Sequence, residues 1–392
     1  MDPRKNPYSP GAGTPPPELA GRGELIERAA VSLDRIRASL AAKSLLMVGL
    51  RGVGKTVLLN QIRLNAESTG ILCVAIEAPE NKSLPALLAP PLRAALLKLD
   101  RTKNVGDKVK RALKALGSLA KAAKLKYNDV EFGLDLGTEL GLADTGDLDS
   151  DLADLLQAIG DAAKERETAL ALFIDELQYV EESQLAALIA ALHRCAQARL
   201  PVALLGAGLP QLIGNTGKAK SYAERLFEFP TVGPLESTAA AEAIEAPAQK
   251  LNIKYERDAI KLILRDTQAY PYFLQEWGKQ SWDVAVRSPI TLNDVKQARQ
   301  RAVAELDASF FRVRFDRLTP AEKRYLRAMA ELGPGPHRSG DIAKDLNVNV
   351  QSVAPTRASL IHKGMIYSPS HGDTAFTVPL FDEFMKRVMP RA

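Results

Sequence analysis

The sequence of 392 residues has little of several features that define whole classes of protein. It has only two cysteines, Cys73 and Cys195, each inside an apolar segment, so a disulfide framework is excluded and buried, reduced thiols are expected. Its four histidines are far apart and have no cysteine partners in a metal-binding pattern, so no zinc site is evident. No apolar run approaches the roughly 20 residues that span a bilayer, and the N-terminus carries prolines and charges instead of a secretory apolar segment. We therefore expect a cytoplasmic protein without a membrane partner.

The composition is that of a globular chain with more than one hydrophobic core. Hydrophobic residues make up 46% of the sequence and charged residues 25%, and the length indicates two or three domains. The net charge of +5 permits contacts with phosphate groups without requiring them.

The charges are segregated in one region of the chain. Residues Lys98 to Lys126 include ten basic and two acidic side chains, whereas Asn128 to Asp161 include ten acidic and no basic ones. This pattern favours a helical hairpin whose arms attract each other, or two solvated faces. The alternative is a basic arm that contacts DNA or a protein partner.

The first part of the chain alternates short apolar runs with helical patterns. Residues 1–20 are rich in proline and are expected to form an extended arm, followed by a helix from Glu24 to Ala41. The apolar runs predict buried strands: Ser44 to Gly49, Ile71 to Glu77, Ala169 to Glu176 and Pro201 to Gly206, with Arg225 to Val232 as a fifth. Between them we predict helices: Thr56 to Ser68, Ser83 to Leu99, Leu148 to Arg166 and Ser183 to Arg199. This alternation predicts an α/β domain with a doubly wound parallel sheet over residues 21–235, with the charged insertion at about 98–161.

Two further units are predicted after the sheet. Residues 236–310 contain four helical patterns: Ser237 to Glu245, Glu256 to Thr267, Tyr272 to Val286 and Asn293 to Asp307. Residues 315–392 predict three helices, a hairpin and a last helix from Phe381, which is the order of a winged helix-turn-helix. The three helices are expected at Thr319 to Leu332, Ser339 to Leu346 and Val353 to Lys363. Several aromatic residues are expected to pack between or within these units: Trp277, Trp282, Phe310, Phe311 and Phe315.

The segment from Gly49 to Thr56 has the sequence GLRGVGKT, which matches the phosphate-binding pattern G-x-x-x-x-G-K-[ST]. A predicted buried strand precedes it and a predicted helix follows it, as that pattern requires. Its glycines let the backbone turn tightly and point N–H groups inward, so that the loop and the helix N-terminus form a cradle for phosphate. We expect Lys55 to reach the β- and γ-phosphate oxygens of a nucleotide and Thr56 to ligate Mg²⁺. The residues expected to bind the nucleotide here are Gly49, Gly52, Val53, Gly54, Lys55, Thr56 and Val57.

A pair of acidic residues ends the third predicted strand, in the sequence LALFIDE. At the carboxyl end of a buried strand, Asp175 is placed to hold Mg²⁺ and Glu176 to polarise the attacking water. Together with the phosphate loop they predict ATP or ADP and Mg²⁺ as ligands.

These motifs resemble those of AAA+ and related STAND ATPases, and most closely the initiator-like clade that includes the origin-recognition proteins. The resemblance extends from about Gly21 to the end of the chain, since that clade joins an AAA+ core and a helical lid to a winged helix. The sequence AGRGEL, which begins at Ala20, is similar to the family's entry motif and implies that Arg22 lies near the adenine. The sequence SYAERLFEF, which begins at Ser221, is similar to the segment of the arginine finger and implies that Arg225 reaches the γ-phosphate of a neighbouring subunit. The alternative is that Arg225 pairs with a nearby glutamate on the surface.

The chain departs from the family pattern at two positions. The family has a polar residue at the end of the fourth strand, where this chain has Gly206, Ala207 and Gly208. It also has an arginine early in the third lid helix, where this chain has the sequence Ala269-Tyr270-Pro271, closer to the Gly-x-Pro element of STAND proteins. That element implies that Pro271 or its neighbour contacts the base or the sugar. Both departures favour a slow hydrolase that acts as a nucleotide switch.

The third helix of the winged unit is the candidate for contact with nucleic acid. At 100° per residue, one stripe contains Ser352, which is predicted to be the N-cap, together with Thr356, Ser359 and Lys363. Arg357 falls in the opposite, apolar arc, so we expect its stem to pack and its charged head to meet a carboxylate or a phosphate at the edge. The candidate DNA contacts are Ser352, Thr356, Arg357, Ser359 and Lys363.

The sequence thus predicts an ATP-binding switch with slow ATP hydrolysis that controls binding of double-stranded DNA, or assembly into a homo-oligomer, through the winged helix. The alternative is a STAND-like signalling ATPase whose winged helix binds a protein partner. A small-molecule kinase is a third hypothesis, but it gives no purpose to the lid or the winged helix.

Overall fold

A five-stranded parallel sheet lies at the centre of the computed structural model, which describes residues 1–11, 13–79, 82–101, 106–122 and 141–391. The strands lie in the order β2-β3-β4-β1-β5. Their bounds are β1 (Ser44–Val48), β2 (Leu72–Glu77), β3 (Leu170–Asp175), β4 (Val202–Gly208) and β5 (Phe227–Glu228). Neighbouring strands are parallel throughout, which confirms the predicted α/β fold with a parallel sheet.

The fifth strand is shorter than predicted. Regular pairing stops after Glu228, because Pro230 has no N–H to donate to the ladder. The chain nevertheless stays beside β1, where the Val48 N–H donates to the Pro230 carbonyl and the Val232 N–H to the Val48 carbonyl.

Helices cover both faces of the sheet, as the continuous apolar strands predict. They are α1 (Gly23–Arg37), α2 (Lys55–Ser68), α3 (Leu84–Arg101), α4 (Asp107–Ala122), α5 (Leu148–Glu165), α6 (Glu182–Gln197), α7 (Leu212–Ala219) and α8 (Ala223–Leu226). Alternate residues of β3 enter two separate cores: Ala171 and Phe173 face the core of α1 and α2, while Leu172 and Ile174 face the core of α3 to α6.

The described parts of the oppositely charged segments include two helices that pack together, while the connection predicted to join them as a hairpin is not described. Helices α4 and α5 contact each other and share one core, which includes Leu116 and Leu156. Lys108 of α4 lies 3.8 Å from Glu165 of α5. The rest of this predicted insertion, residues 102–105 and 123–140, lies outside the described part of the chain.

Four helices follow the sheet, as predicted, and we refer to them as the lid helices. They are α9 (Ser237–Gln249), α10 (Arg257–Thr267), α11 (Pro271–Val284) and α12 (Leu292–Leu306). A π-helical turn, Asp307–Phe311, then leads into the short helix α13 (Arg312–Asp316).

The last unit has the order of a winged helix-turn-helix. Its helices are α14 (Pro320–Glu331), α15 (Ser339–Asp345), α16 (Val350–His362) and α17 (Phe381–Val388). Its strands β6 (His337–Arg338), β7 (Ile366–Tyr367) and β8 (Asp373–Phe376) form an antiparallel sheet in the order β6-β8-β7. The sequence analysis found the β7–β8 hairpin but not β6, because two polar residues carry no strand pattern.

The aromatic residues at the junction of lid and winged helix pack as predicted. Phe311 lies 6.2 Å from Phe273 of the lid and 5.2 Å from Phe384 of α17, measured between ring centroids. Trp277 and Trp282 of α11 are both buried. The lid and the winged helix therefore share a hydrophobic joint.

The start of α16 differs from the prediction. Asn349, and not Ser352, is the N-cap, because its side-chain oxygen accepts the N–H of Gln351 at 3.0 Å, and asparagine is a strong capping residue. The helix begins three residues early as a result, and Pro355 lies inside it.

The N-terminal arm docks on the lid helices. The Tyr8 ring is only 4% exposed, and its hydroxyl donates to the Ile244 carbonyl of α9. The Asn6 amide donates to Asp283 at 2.8 Å, and the Trp282 indole N–H donates to the Asp2 carbonyl at 3.0 Å.

Over the described ranges, no helix is both long and apolar enough to cross a membrane.

Candidate active site

The predicted phosphate loop connects β1 to α2 in a tight turn. Gly54 is the N-cap of α2 with a φ of 89°, which favours glycine. A Cβ on Gly49 would lie 2.0 Å from the Val232 carbonyl oxygen, so no side chain fits there. The loop therefore presents backbone and the N-terminus of α2 to one small volume, which is the geometry of an anion cradle.

Lys55 is the cation of this cradle. Its ammonium donates to the carbonyls of Gly49 and Leu50, at 2.9 Å each, and pairs with no carboxylate in the described part of the chain. Burial lowers the pKa of Lys55 to about 8, against the opposing effect of the two nearby acids. A buried cation with only carbonyl partners fits a site that receives phosphate.

Asp175 and Thr56 meet at the carboxyl edge of the sheet. The Thr56 hydroxyl donates to the Asp175 carboxylate at 2.6 Å, and burial raises the pKa of Asp175. A hydroxyl and a carboxylate are oxygen donors of the kind that Mg²⁺ prefers. The two residues thus fit the metal that the sequence predicts.

Glu176 has an unusual backbone and two partners that the sequence did not reveal. Its φ of 52° and ψ of 37° place it in the left-handed region, where a non-glycine residue is strained. One carboxylate oxygen lies 3.3 Å from Arg51 Nη1, and the other accepts a hydrogen bond from the Gln178 amide. The Gln178 carbonyl oxygen in turn accepts the Leu209 N–H at 3.0 Å. Gln178 therefore supplies a polar group at the end of β4, where the sequence has glycines.

The winged helix lies directly against the phosphate loop. The Arg51 N–H donates to the Thr377 carbonyl at 3.0 Å, and the Arg51 guanidinium donates to the Tyr179 hydroxyl at 2.7 Å. A Cβ on Gly364, the glycine after α16, would lie 2.9 Å from Arg51 Nη2 and 3.0 Å from the Tyr179 hydroxyl. Arg51, whose position in the loop pattern accepts any residue, is thus enclosed by the winged helix.

The lid and the entry segment also reach the loop. Pro271 is the first residue of α11, and the next N–H, of Tyr272, donates to the Gly52 carbonyl at 3.2 Å. The Arg22 guanidinium donates to the carbonyls of Val53 and Gly233, at 3.2 and 2.6 Å. These contacts bring Arg22 and Pro271 to the phosphate loop; the predicted contacts with adenine or sugar stay predictions.

Arg225 lies elsewhere, on the exposed surface of α8 just before β5. The neighbouring Glu228 pairs with Arg28 at 2.5 Å, and no ion pair of Arg225 occurs within the described ranges. The proposed surface pairing of Arg225 is therefore wrong, and its predicted role in a neighbouring subunit stays a prediction.

The polar stripe predicted on α16 does not face solvent as a whole. The Ser359 hydroxyl and the Lys363 ammonium each lie 2.7 Å from the buried Glu322 carboxylate of α14. Arg357 donates to the Thr374 hydroxyl at 2.8 Å and to the Asp373 carbonyl at 2.9 Å. Of the two expected partners of Arg357, the carboxylate is thus wrong, because the edge of β8 supplies uncharged acceptors, and the phosphate stays a prediction.

The remaining two candidates lie at the start of α16. Ser352 is exposed, with its hydroxyl donating to the Asn349 carbonyl at 2.6 Å, and Thr356 is partly exposed. The exposed residues of α16 include no lysine or arginine: they are Val350, Gln351, Ser352, Ala354, Pro355, Ala358 and His362.

Comparison with known families identifies the first part of the chain. Residues 18–205 match the family model described as AAA ATPase domain, and residues 308–385 match one described as Domain of unknown function (DUF8462). No curated protein sequence matches. The chain therefore contains an AAA ATPase domain, and it is an ATPase.

Among the similar solved structures, the one with a TM-score above 0.5 agrees with the fold. The Walker-type ATPase paby2304 of Pyrococcus abyssi is 16% identical, and the match covers 94% of this chain and 96% of that one with a TM-score of 0.59. The Aeropyrum pernix Orc1 protein, solved in complex with DNA, is 16% identical over 94% of this chain and 93% of that one, with a TM-score of 0.47. A Thermotoga maritima RuvB mutant is 14% identical over 91% and 92%, with a TM-score of 0.45. At these identities the likeness concerns the fold alone.

Proposed function

We propose that the chain is a nucleotide-dependent switch whose winged helix is held against the ATP site in the resting state and is released when ATP binds. The observation that carries this proposal is the position of Arg51. One arginine of the phosphate loop contacts both the candidate catalytic acid, Glu176, and the winged helix, at Thr377 and Gly364. The state of the nucleotide site and the position of the winged helix are thereby linked through one residue, by its guanidinium at Glu176 and Gly364 and by its backbone N–H at Thr377.

The nucleotide chemistry rests on the residues already described. The loop backbone and Lys55 bind the phosphates, Thr56 and Asp175 hold Mg²⁺, and Glu176 orients and polarises water. Mg²⁺, when bound, neutralises charge on the phosphates. In the observed arrangement the Glu176 carboxylate is held by Arg51 and Gln178, which makes it a weaker acceptor of a proton from water. This arrangement is that of a resting enzyme with slow turnover.

ATP binding would weaken the contacts of Arg51. A triphosphate brings negative charge to the loop that contains Arg51, and this charge competes with Glu176 for the guanidinium. Once Arg51 moves, its contacts with Tyr179 and with the turn at Gly364 are lost together. The winged helix then keeps the backbone hydrogen bond from Arg51 to Thr377 and its joint with the lid helices, and this weaker attachment lets it meet a partner.

The exposed surface of α16 favours a protein partner over DNA. DNA binding draws most of its affinity from lysine and arginine side chains that neutralise phosphates. The exposed residues of α16 include neither type, and four of them are apolar: Val350, Ala354, Pro355 and Ala358. Lys363 and Arg357 are already engaged within the winged helix. We therefore place the protein-binding switch ahead of the DNA-binding one.

DNA binding remains the second candidate, and salt separates the two. If duplex DNA binds through phosphates, its affinity falls steeply between 50 and 200 mM salt, by ~10³-fold for six contacts. If the partner is a protein, no duplex will bind in the ATP-analogue state.

The exposed position of Arg225 also supports a role between subunits. A nucleotide-dependent increase in the mass of the assembly that Arg225→Ala abolishes would establish this role.

The proposal is tested by replacing Arg51 with methionine, which keeps the aliphatic stem and removes the guanidinium. We expect a several-fold faster ATP turnover, because Glu176 is freed, and faster proteolysis of the winged helix from the rest of the chain. Arg28→Met is the matched control, since Arg28 pairs with Glu228 at a surface away from the site. An unchanged proteolysis rate together with unchanged or slower turnover would contradict the proposal.

A further inference from the structure

Arg314 is a partly buried cation without a carboxylate partner. It lies in α13, its guanidinium donates to the Phe310 carbonyl, and its guanidinium carbon lies 4.1 Å above the centroid of the Phe310 ring. None of the ion pairs between described residues includes Arg314. Such a group carries the cost of its lost hydration without the full compensation of an opposite charge.

A stack of side chains connects Arg314 to the phosphate loop. The Phe310 ring stacks on the Tyr272 ring with a centroid distance of 4.5 Å and an interplanar angle of 28°. The backbone of Tyr272 in turn donates to Gly52 of the loop. Arg314 therefore lies one aromatic pair away from the site that binds phosphate.

The electrostatic surroundings of Arg314 belong to that site as well. Burial lowers the pKa of Arg314 to about 10, and the next largest effect is repulsion from Arg51 of the loop. Glu176 acts in the opposite direction, but its carboxylate already pairs with Arg51. Arg314 and Arg51 thus repel each other, and the carboxylate of Glu176 pairs with Arg51 alone of the two.

The nearby arginines differ from Arg314. Arg312, two residues earlier in the same helix, is exposed and pairs with Asp316 at 3.1 Å. Arg387 of α17 pairs with Asp307 at 2.7 Å. The π-helical turn that precedes α13 shifts the register of the helix, and such turns frequently occur at functional sites. Arg314, in contrast to these two, lies on the Phe310 ring that stacks toward the phosphate loop.

We propose that Arg314 binds the terminal phosphate of ATP from within the same chain, and thereby makes the junction of lid and winged helix sensitive to ATP as opposed to ADP. This rests on the proposed function, since it assumes that ATP occupies the loop. A guanidinium donates two parallel hydrogen bonds to a phosphate, whereas its present acceptor is a single carbonyl. ADP lacks the group that would attract it, so Arg314 would stay on Phe310 in the ADP state.

The test compares the affinities of the full chain for a non-hydrolysable ATP analogue and for ADP. Arg314→Met should weaken binding of the ATP analogue by about 10-fold or more, the usual effect of losing a charged hydrogen bond, and change ADP binding by less than about 2-fold. Arg314→Lys should restore part of the loss, because it keeps the charge without the paired donors. Arg312→Met is the control and should leave both affinities unchanged.

Two results would overturn the assignment. If Arg314→Met weakens ADP and the ATP analogue equally, the residue acts on the fold of the site and not on the terminal phosphate. If the wild-type chain prefers the ATP analogue and Arg314→Met keeps the same preference, another group contacts that phosphate, while the proposed switch still stands. A wild-type chain that binds neither nucleotide would overturn both proposals.

Discussion

Arg51 of the phosphate loop lies 3.3 Å from the carboxylate of Glu176, the residue that the sequence predicts to polarise water. The pair is only partly exposed, so water screens it less than a surface ion pair. The same guanidinium also contacts Tyr179 and the turn at Gly364. This one arginine therefore relates the catalytic acid to the position of the winged helix, and the first prediction concerns the acid.

Glu176→Gln should keep nucleotide binding and lose at least ~10²-fold in turnover, because an amide cannot accept a proton from water. It should also weaken the contact with Arg51, since the ion pair becomes a neutral hydrogen bond. Single-turnover hydrolysis and equilibrium binding measure the two effects. Glu182→Gln, at the exposed start of α6, is the control. Full activity of the Glu176 variant would assign the role of the acid to another residue.

Lys55→Met should have opposite effects on binding and on stability. It removes the cation that contacts the phosphates, so nucleotide affinity should fall by ~10- to 100-fold or more. It also removes a buried ammonium whose pKa is lowered by burial, so the nucleotide-free chain should become more stable, on the order of 1–3 kcal/mol. Thermal denaturation without nucleotide tests the second effect, with exposed Lys43→Met as the control. A less stable Lys55 variant would contradict the described burial.

Glu322 should make the winged helix sensitive to acid. Burial alone would raise its pKa, but hydrogen bonds from Lys363, Thr319 and Ser359 outweigh it and lower the pKa to about 2, from 4.5. A carboxyl group with a lowered pKa in the folded state stabilises the protein above the unfolded value, near pH 4.5, and this stabilisation is lost as the pH falls towards 2. The difference corresponds to roughly 3 kcal/mol.

The check is hydrogen exchange of α14 and α16 between pH 5 and 2.5. In the wild-type chain, the amides of α14 and α16 should lose protection against exchange as the pH falls over this range. In Glu322→Gln the same amides should be less protected at pH 5, and their protection should change less with pH. Asp341→Asn, at an exposed position of α15, should behave like wild type. Equal pH dependence in the wild type and the Glu322 variant would show that this carboxylate is not the titrating group.

Tyr8 should hold the N-terminal arm on the lid. Its buried ring and its hydrogen bond to Ile244 both disappear in Tyr8→Ala, whereas Tyr8→Phe loses only the hydrogen bond. Tyr8→Ala should release residues 1–11 to rapid hydrogen exchange and destabilise the lid by ~3 kcal/mol or less. Ser9→Ala is the control, because only the backbone of Ser9 contacts the lid, at Gln275. If the arm stays protected from hydrogen exchange in Tyr8→Ala, contacts other than those of Tyr8 are sufficient to hold it on the lid.

The sequence was most informative where a residue type and its local spacing determine the structure. The glycine pattern before Lys55, the apolar run that ends in Asp175 and the helical periodicities of lid and winged helix are local properties, and the structure has these elements. Arg51 and Gln178 could not be predicted, because their partners come from distant segments. The stripe on α16 was misjudged because Asn349 caps the helix earlier than Ser352 and because Glu322 lies in another helix.

The central claim is that ATP releases the winged helix from the phosphate loop, and energy transfer between two labels tests it most directly. The labels are placed on exposed positions of α1 and α17, Val31→Cys and Lys386→Cys, in a chain with Cys73 and Cys195 replaced by alanine. We predict lower transfer with a non-hydrolysable ATP analogue than with ADP, and equally low transfer in both states for Arg51→Met. Identical transfer in the two states of the wild-type chain, with both nucleotides shown to be bound, would contradict the account.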